Sequence, residues 1–476
     1  MKITIVKDLT HFEGTILIPV FETNAKSLVP IEFHGVSVSS KVFYGKKDSS
    51  YSVDKYDCLH LFIGLGKSID YKSVFTIFRR IITRNKEVLN MKVALVVPDA
   101  LPADLAEAMF SGMLAGTYDL GHYKKQEQHP LLKPDFELSL LAKEDFVPIA
   151  ERAFKIANAK LETYRLVDLP PNKVNPEYLA ECAVKNGATF GFKVTVLDRD
   201  ACSNLGLSAF LAVAQGSARE PQFVIMEYTP EKLGKETKHI GLVGKGITFD
   251  TGGLNIKTAG MLHMKSDMAG GAAVFGTMRL IADLQLNTKV TAIVPCCENS
   301  VDNTSFVPAD VIGSYSGHSI EIIDTDAEGR LILADGLSYL IKNFKPDVIV
   351  DIATLTGSSV ATFGYECGAL FTNNEAVSKQ LQRAGDSIGE RVWPLPLWDA
   401  YKPDIESEIA DVKNYSGKPV AGAISAAKFL EFFTGNHPAW AHMDVAGVAF
   451  GDDEFAKTKH GTAFGVHLLT KFIENL

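Results

Sequence analysis

The sequence predicts an α/β protein of two domains, each a sheet layered with helices. Three observations carry this. The chain has 476 residues, more than one core ordinarily serves. Short apolar runs alternate with stretches of helical period along its length. A proline-rich break, RLVDLPPNKVNPEYL, divides a smaller first part from a larger second part.

The elements follow in order. Residues 59–65 (LHLFIGL) and 93–97 (VALVV) read as buried strands. Between residues 102 and 123, Leu105, Met109, Met113 and Leu114 recur near the helical period. Residues 146–164 form a second helical stretch that leads out of the first domain. Pro170 and Pro171 break regular structure, and Asn175 then stands as an N-cap with Pro176 at the first helical position. The domains are therefore 1–160 and 161–476. In the second, 223–226, 239–243, 290–294 and 348–352 read as strands, and 269–284, 331–342 and 421–433 as helices. This alternation predicts a largely parallel or mixed sheet between helices, with ligands outside the carboxyl ends of its strands.

Composition narrows the function. Hydrophobic residues make up 46% and charged residues 22%, a globular rather than a disordered balance. Lys plus Arg is 48 against 57 Asp plus Glu, a formal charge of −9, which disfavours broad binding to a phosphate backbone. Nucleic acid is therefore not an expected partner. The start, MKITIVKDLTHFEG, lacks a signal peptide's apolar stretch and cleavage site. No apolar run reaches the roughly 18 residues of a membrane span. Cys58, Cys182, Cys202, Cys296, Cys297 and Cys367 form no CxxC pair or disulfide framework, so reduced thiols in the cytoplasm are expected. The adjacent Cys296 and Cys297 could ligate a metal, but buried cysteine is a common core residue.

Three strand-end segments are dense in ionisable residues: GLVGKGITFDTGGLNIK with Lys245, Asp250 and Lys257, HMKSDMAGGAA with Asp267, and DTDAEGRLILADG with Asp326, Glu328 and Arg330. If the third continues the strand-like run 320–323, Asp324, Asp326 and Glu328 project to one side. Carboxylates so crowded repel, and one must hold a proton unless cations neutralise them. Each residue also has a plainer reading. The third segment could be a solvated acidic turn before a helix, Asp250 a turn residue before Gly252 and Gly253, Asp267 a helix N-cap, and the lysines surface groups. The glycine-rich first segment has neither GxxxxGK[ST] nor GxGxxG, which argues against a nucleotide. Together, Asp250, Asp267, Asp326 and Glu328 supply four negative charges, the complement of two divalent ions. Carboxylates with few His or Cys partners suit Mn²⁺, Mg²⁺ or Zn²⁺.

These segments resemble the M17 leucyl (cytosol) aminopeptidases. The family's NTDAEGRL stands here as DTDAEGRL (324–331), GKGxTFDSGG as GKGITFDTGG (244–253), and MKxDMxGAA as MKSDMAGGAA (264–273). ATLTG (353–357), WPLPLWDAY (393–401), GAISAAKFL (422–430) and WAHMDVAGVA (440–449) extend the likeness from about residue 55 to the end. The resemblance implies a small N-terminal α/β domain before a larger α/β catalytic domain. It implies Lys245, Asp250, Asp267, Asp326 and Glu328 as ligands of two divalent ions, with Lys245 ligating as a neutral amine beside them. Lys257 would face the reacting carbonyl. Arg330 would hold a bicarbonate acting as general base. Met264, Thr354, Gly357 and Ala446 match positions near the pocket for the first side chain. A metal-bridging water would attack the first peptide bond of a peptide with a free amino terminus, Leu-like residues being preferred. Six chains would assemble as a dimer of trimers. Asp324 departs from the family's Asn, Thr251 from its Ser, GTAFG (461–465) from its GATG, and the loop between Lys257 and Asp267 is one residue shorter than in many relatives.

Overall fold

The computed structural model describes residues 2–23, 29–55, 57–89, 92–99, 101–125, 128–133, 135–232, 234, 237–451 and 453–476. The chain divides into two compact units, Met1–Asn158 and Ala159–Leu476. The helix Phe146–Asp168 runs through the division.

The first unit carries a six-stranded sheet in the order Lys2–Val6, Glu137–Leu141, Lys92–Val96, Gly14–Phe21, Cys58–Gly66, Ser50–Lys55. All neighbours are parallel except the last pair. Its central strands are continuous apolar runs, as strands covered on both faces require. Helix Tyr71–Arg84 starts at Asp70, whose carboxylate accepts the Ser73 N–H at 2.7 Å in a capping box. The helical pattern expected to reach residue 123 stops at Ala115. Gly116 follows, and a Cβ there would lie 2.6 Å from the Arg79 carbonyl oxygen, a close approach that only glycine allows.

The second unit carries a nine-stranded mixed sheet. Its order is Val392–Pro394, Gly368–Thr372, Trp440–Asp444, Val348–Ala353, His239–Gly244, Lys289–Asn299, Gln222–Tyr228, Lys193–Leu197, with Gly246–Asp250 pairing the far half of Lys289–Asn299. Trp440–Asp444, Val348–Ala353, His239–Gly244 and Lys289–Asn299 run parallel, and antiparallel strands extend the sheet on both sides. Asn175 caps helix Pro176–Phe190 as expected, accepting the Tyr178 N–H at 2.8 Å, with Pro176 at the first position and Gly191 left-handed at the end.

Helices cover both faces. Helix Gly329–Phe344 sends Leu331, Leu333 and Leu337 into the core with Val243, Ile293 and Ile349. Helix Ala269–Asp283 lies so close to the sheet that only glycine fits between them. A Cβ on Gly244 would stand 2.7 Å from Gly271 Cα, and one on Gly270 would collide with the Ile352 carbonyl.

Two expectations fail locally. The run 320–323 is a strand only at Ile320–Glu321, and it pairs with Val311–Ile312 and Val412–Lys413 in a small separate sheet. The chain then turns instead of extending, because Asn414 Oδ1 accepts the N–H groups of Ile323 (2.8 Å) and Asp324 (3.3 Å).

In an ordinary helix interior, replacing glycine by alanine gains about 1 kcal/mol. At Gly270 the Cβ would meet strand backbone, so Gly270→Ala is expected to lose about 1–3 kcal/mol instead. A urea unfolding midpoint that rises in this variant would show that the helix does not bear on the strand.

Candidate metal centre and active site

Parallel strands that start on one side also end on one side, and here five strand ends converge. Lys245 joins His239–Gly244 to Gly246–Asp250, whose last residue is Asp250. Asn299 closes Lys289–Asn299, Thr354 follows Val348–Ala353, and Asp444 closes Trp440–Asp444. Lys257 comes from the loop after Asp250. Asp267 follows the short turn of helix Met261–Ser266, and Glu328 immediately precedes helix Gly329–Phe344.

Two lysines interleave four carboxylates. Lys245 Nζ lies 2.8 Å from Asp267 Oδ2 and 2.8 Å from Glu328 Oε1, and donates to the Thr354 carbonyl at 3.1 Å. Lys257 Nζ lies 2.7 Å from Asp250 Oδ2 and also pairs with Asp326 Oδ1. Further donors orient the acids. Asp250 Oδ1 accepts from Gly252 N–H and Asn299 Nδ2, both at 2.8 Å, and Asp267 Oδ1 accepts from Thr354 Oγ1 at 2.9 Å. Carboxylate oxygens of Asp250, Asp326 and Glu328 fall within 4.8 Å of one another. Glu328 is buried, and its Oε2 has no hydrogen-bond partner among the described residues. Such an oxygen is costly to leave unmatched, and a divalent cation would match it. An all-oxygen cluster beside an amine fits a hard or borderline ion.

Burial and mutual repulsion govern the charges. Burial, reinforced by Asp250 and Glu328 and opposed by Lys257, pushes the Asp326 carboxyl up to about 7. Burial likewise raises Glu328 and Asp267. For Lys245, burial pulls the pKa down, but Asp267, Glu328 and Asp250 together outweigh it and raise it. Lys257 is raised in the same way by Asp250, Glu328 and Asp326. With carboxylates alone around them, both lysines are ammonium ions supplying the positive charge the cluster demands. The neutral Lys245 amine implied by the family likeness needs divalent ions nearby to drive its proton off.

These groups open into a cavity of about 790 Å³. All eleven residues singled out from the sequence line it: Lys245, Asp250, Lys257, Asp267, Asp326, Glu328, Arg330, Met264, Thr354, Gly357 and Ala446. Arg330 Nη1 donates to the Asn414 carbonyl at 2.8 Å, while its buried Nε has no partner among the described residues. Burial lowers the guanidinium to about 10, against the pull of Glu328, Asp324 and Asp444, so it remains charged at neutral pH.

Two sequence readings are corrected. Asp324, Asp326 and Glu328 do not project together from an extended strand. Asp324 Oδ1 turns back to accept the Asp326 N–H at 2.8 Å, and Asp250 takes its place beside the other two. Nor does Asp267 cap the following helix, which begins at Ala269 after Met268 with no side-chain cap. Cys296 and Cys297 are buried, and burial drives both thiols upward, as for core residues. Sequence reasoning missed Asn299, Asn414 and Asp444. Asp444 Oδ1 accepts from Leu355 N–H and Ala446 N–H, both at 3.2 Å, and Oδ2 from Thr356 Oγ1 at 2.6 Å, fixing the loop that offers Thr354. Asn299 and Asp444 end strands at the shared edge, and that position is their signal; Asn414 follows Val412–Lys413 of the small separate sheet and carries none.

The sequence profile described as "Cytosol aminopeptidase family, catalytic domain" matches residues 162–470. The "Probable cytosol aminopeptidase" of Chlorobaculum tepidum is 42% identical over 384 residues, covering 78% of this chain and 76% of that protein. The protein of the same description from Roseiflexus castenholzii is 38% identical over 427 residues, covering 87% and 86%. Among solved structures, "Bottromycin maturation enzyme BotP in complex with Mn" superposes with a TM-score of 0.85 at 26% identity, covering 97% of this chain and 99% of that one.

The raised carboxyl groups set the sign of a pH dependence. At and below about pH 7, Asp326 carries a proton that an entering cation must displace, and Glu328 and Asp267 are raised too. Mn²⁺ affinity, measured by calorimetry, is therefore expected to fall by roughly tenfold for each pH unit below about 7 per proton displaced, with proton release on binding. Equal affinity on both sides of neutrality would contradict this account.

Proposed function

The chain belongs to the cytosol aminopeptidase family and is a metal-dependent aminopeptidase, and on that premise we propose that two divalent ions, drawn from Mn²⁺, Zn²⁺ and Mg²⁺, are held by Lys245, Asp250, Asp267, Asp326 and Glu328. The observation that carries this reading is the Asp250–Asp326–Glu328 cluster with the Lys245–Asp267 pair against it. Two divalent ions supply the four positive charges that four carboxylates call for, which lets Lys245 bind as a neutral amine and leaves the Lys257 charge for the substrate. The Mn named with the similar solved structure supports the choice of ion. When bound, such ions supply Lewis acidity and lower the pKa of water at the site.

The chain's own residues do the rest. Lys257 faces the cavity from the carboxylate wall, placed to stabilise negative charge developing on the scissile carbonyl oxygen. Arg330, with Nη1 anchored and Nε unmatched, is placed to hold bicarbonate as the general base. The substrate's free amino group is directed toward the acidic cluster, which confines cleavage to the first residue. Met264, Thr354, Gly357 and Ala446 form the side of the cavity that receives that residue's side chain, and their mainly apolar character favours Leu. A homohexamer in the cytoplasm belongs to the same reading. The relatives' descriptions support the location. Exposed Trp393, Trp398, Ile409 and Leu262 support burial against other copies.

Leucine p-nitroanilide tests the function. Turnover is expected with Mn²⁺, to vanish on chelation, and to be absent when the substrate's amino group is acetylated. Cleavage of the acetylated substrate would overturn the exopeptidase reading. Two variants separate the roles. Lys257→Ala should lose at least roughly a hundredfold in kcat while keeping its metal, whereas Asp267→Ala should lose one ion per chain by mass spectrometry. Equal metal content in the two would sink the assignment.

A further inference from the structure

Among the described residues, four lysines line the cavity: Lys245, Lys257, Lys418 and Lys459. Three are matched by carboxylates. Lys245 and Lys257 sit among the acids already described, and Lys418 Nζ lies 2.6 Å from Asp404 Oδ1. Lys459 differs. Among the described residues, no carboxylate stands within ion-pair distance of it, and its Nζ lies 5.5 Å from the centroid of the Tyr365 ring. A cation on the face of an exposed aromatic ring gains only about 0.5–1 kcal/mol. The contact fixes where the ammonium sits without neutralising it.

A short ladder holds the backbone beside Lys459. The next residue, His460, pairs with Gly451 in a short antiparallel ladder, and Phe450 pairs with Gly461. The His460 ring is buried, with Nε2 2.8 Å from Asp453 Oδ1 and Nδ1 2.8 Å from the Gly461 carbonyl. The same ladder carries Phe450, whose ring lies 5.8 Å from His263, and both rings line the cavity. Residues 446–450 bear directly on the end of helix Gly357–Phe363, where a Cβ on Gly447 would collide with the Gly364 carbonyl. Val360, Tyr365, Ala446 and Phe450 line the cavity as apolar and aromatic groups, and Lys459 adds a positive charge that no carboxylate among the described residues matches.

We propose that Lys459, seated on Tyr365, is a specificity-determining residue that receives a carboxylate of the substrate. This rests on the aminopeptidase reading and adds to it a preference for acidic substrates of a defined kind. Two sources present that chemistry within reach of one cavity: an Asp or Glu side chain on the first residue, or the free carboxyl terminus of a dipeptide. An Mn²⁺-loaded enzyme distinguishes them through matched pairs. One pair is glutamyl p-nitroanilide against glutaminyl p-nitroanilide. The other is Leu-Gly against Leu-Gly amide. In Lys459→Met, the ratio of kcat/KM within one pair is expected to fall about tenfold, carried by KM, as loss of a partly desolvated ion pair requires. Lys459→Arg should keep the ratio, and added salt should narrow it in the parent enzyme. A fall in the glutamyl pair assigns the charge to the first residue, and a fall in the Leu-Gly pair assigns it to the carboxyl terminus. Unchanged ratios in both pairs, with leucine p-nitroanilide still turned over, overturn the proposal. Failure of the parent enzyme on every substrate would instead overturn the aminopeptidase reading.

Discussion

Everything at the centre of this protein answers to one constraint: four carboxylates are held close together, mostly out of water. Repulsion and desolvation both act against that arrangement. It persists because the two lysines are drawn into the cluster, and because backbone and side-chain donors orient the acid oxygens. The parallel core of the sheet makes the crowding possible, since its strands deliver Lys245, Asp250, Asn299, Thr354 and Asp444 to one edge. The same repulsion that would cost stability in an inert protein creates affinity for divalent cations here.

The cluster in turn dictates where glycine must occur. Gly329 follows Glu328, and the Lys245 side chain lies across it so closely that a Cβ would collide with Lys245 Cε. The glycine of the DAEG run therefore makes room for the lysine. Gly244 and Gly270 do the corresponding work beneath the site, letting a helix rest on the strands that carry Lys245 and Thr354. Gly252 and Gly253 have φ of 88° and 63°. They turn the chain sharply after Asp250, so that Lys257 can return to face it.

Much of this was legible in the sequence, and the exceptions have physical causes. Strand and helix periodicity located the sheet, and the ionisable residues at strand ends marked its functional edge. Residue order within the acidic run was misleading. A two-residue alternation predicted that Asp324 joins Asp326 and Glu328, but Asn414, ninety positions away, bends the chain at that point. Thr325 strengthens the bend by donating to the Gly252 carbonyl at 2.7 Å. Neither contact leaves a local trace. Asp351 is a different case, since a charged residue inside the apolar run VIVDIA must be matched, yet nothing nearby in the chain says by what. The match comes from the neighbouring strand. His442 Nδ1 lies 2.5 Å from Asp351 Oδ1, and Trp440 Nε1 donates to Oδ2 at 2.7 Å.

Glu328, Asp324 and Asp444 hold the charge on Arg330 against burial, and Asp444 also acts on the His442 that matches Asp351. Burial opposes an imidazolium at His442, but the adjoining Asp351 outweighs it and raises the pKa. Asp444, two residues along the same strand and therefore on the same face, is felt by both His442 and Arg330. Asp444 thus links the Asp351–His442 pair to Arg330. Asp444 favours the charged form of both His442 and Arg330, offsetting part of what burial costs them. Arg330 reaches the cavity with one unmatched N–H among the described residues. An anion bound there would match that N–H, so a position favouring a negatively charged group stands beside the carboxylate cluster that favours cations. Two opposite preferences side by side suit hydrolysis of a neutral amide, where the nucleophile's proton and the carbonyl's developing charge must be received in different places.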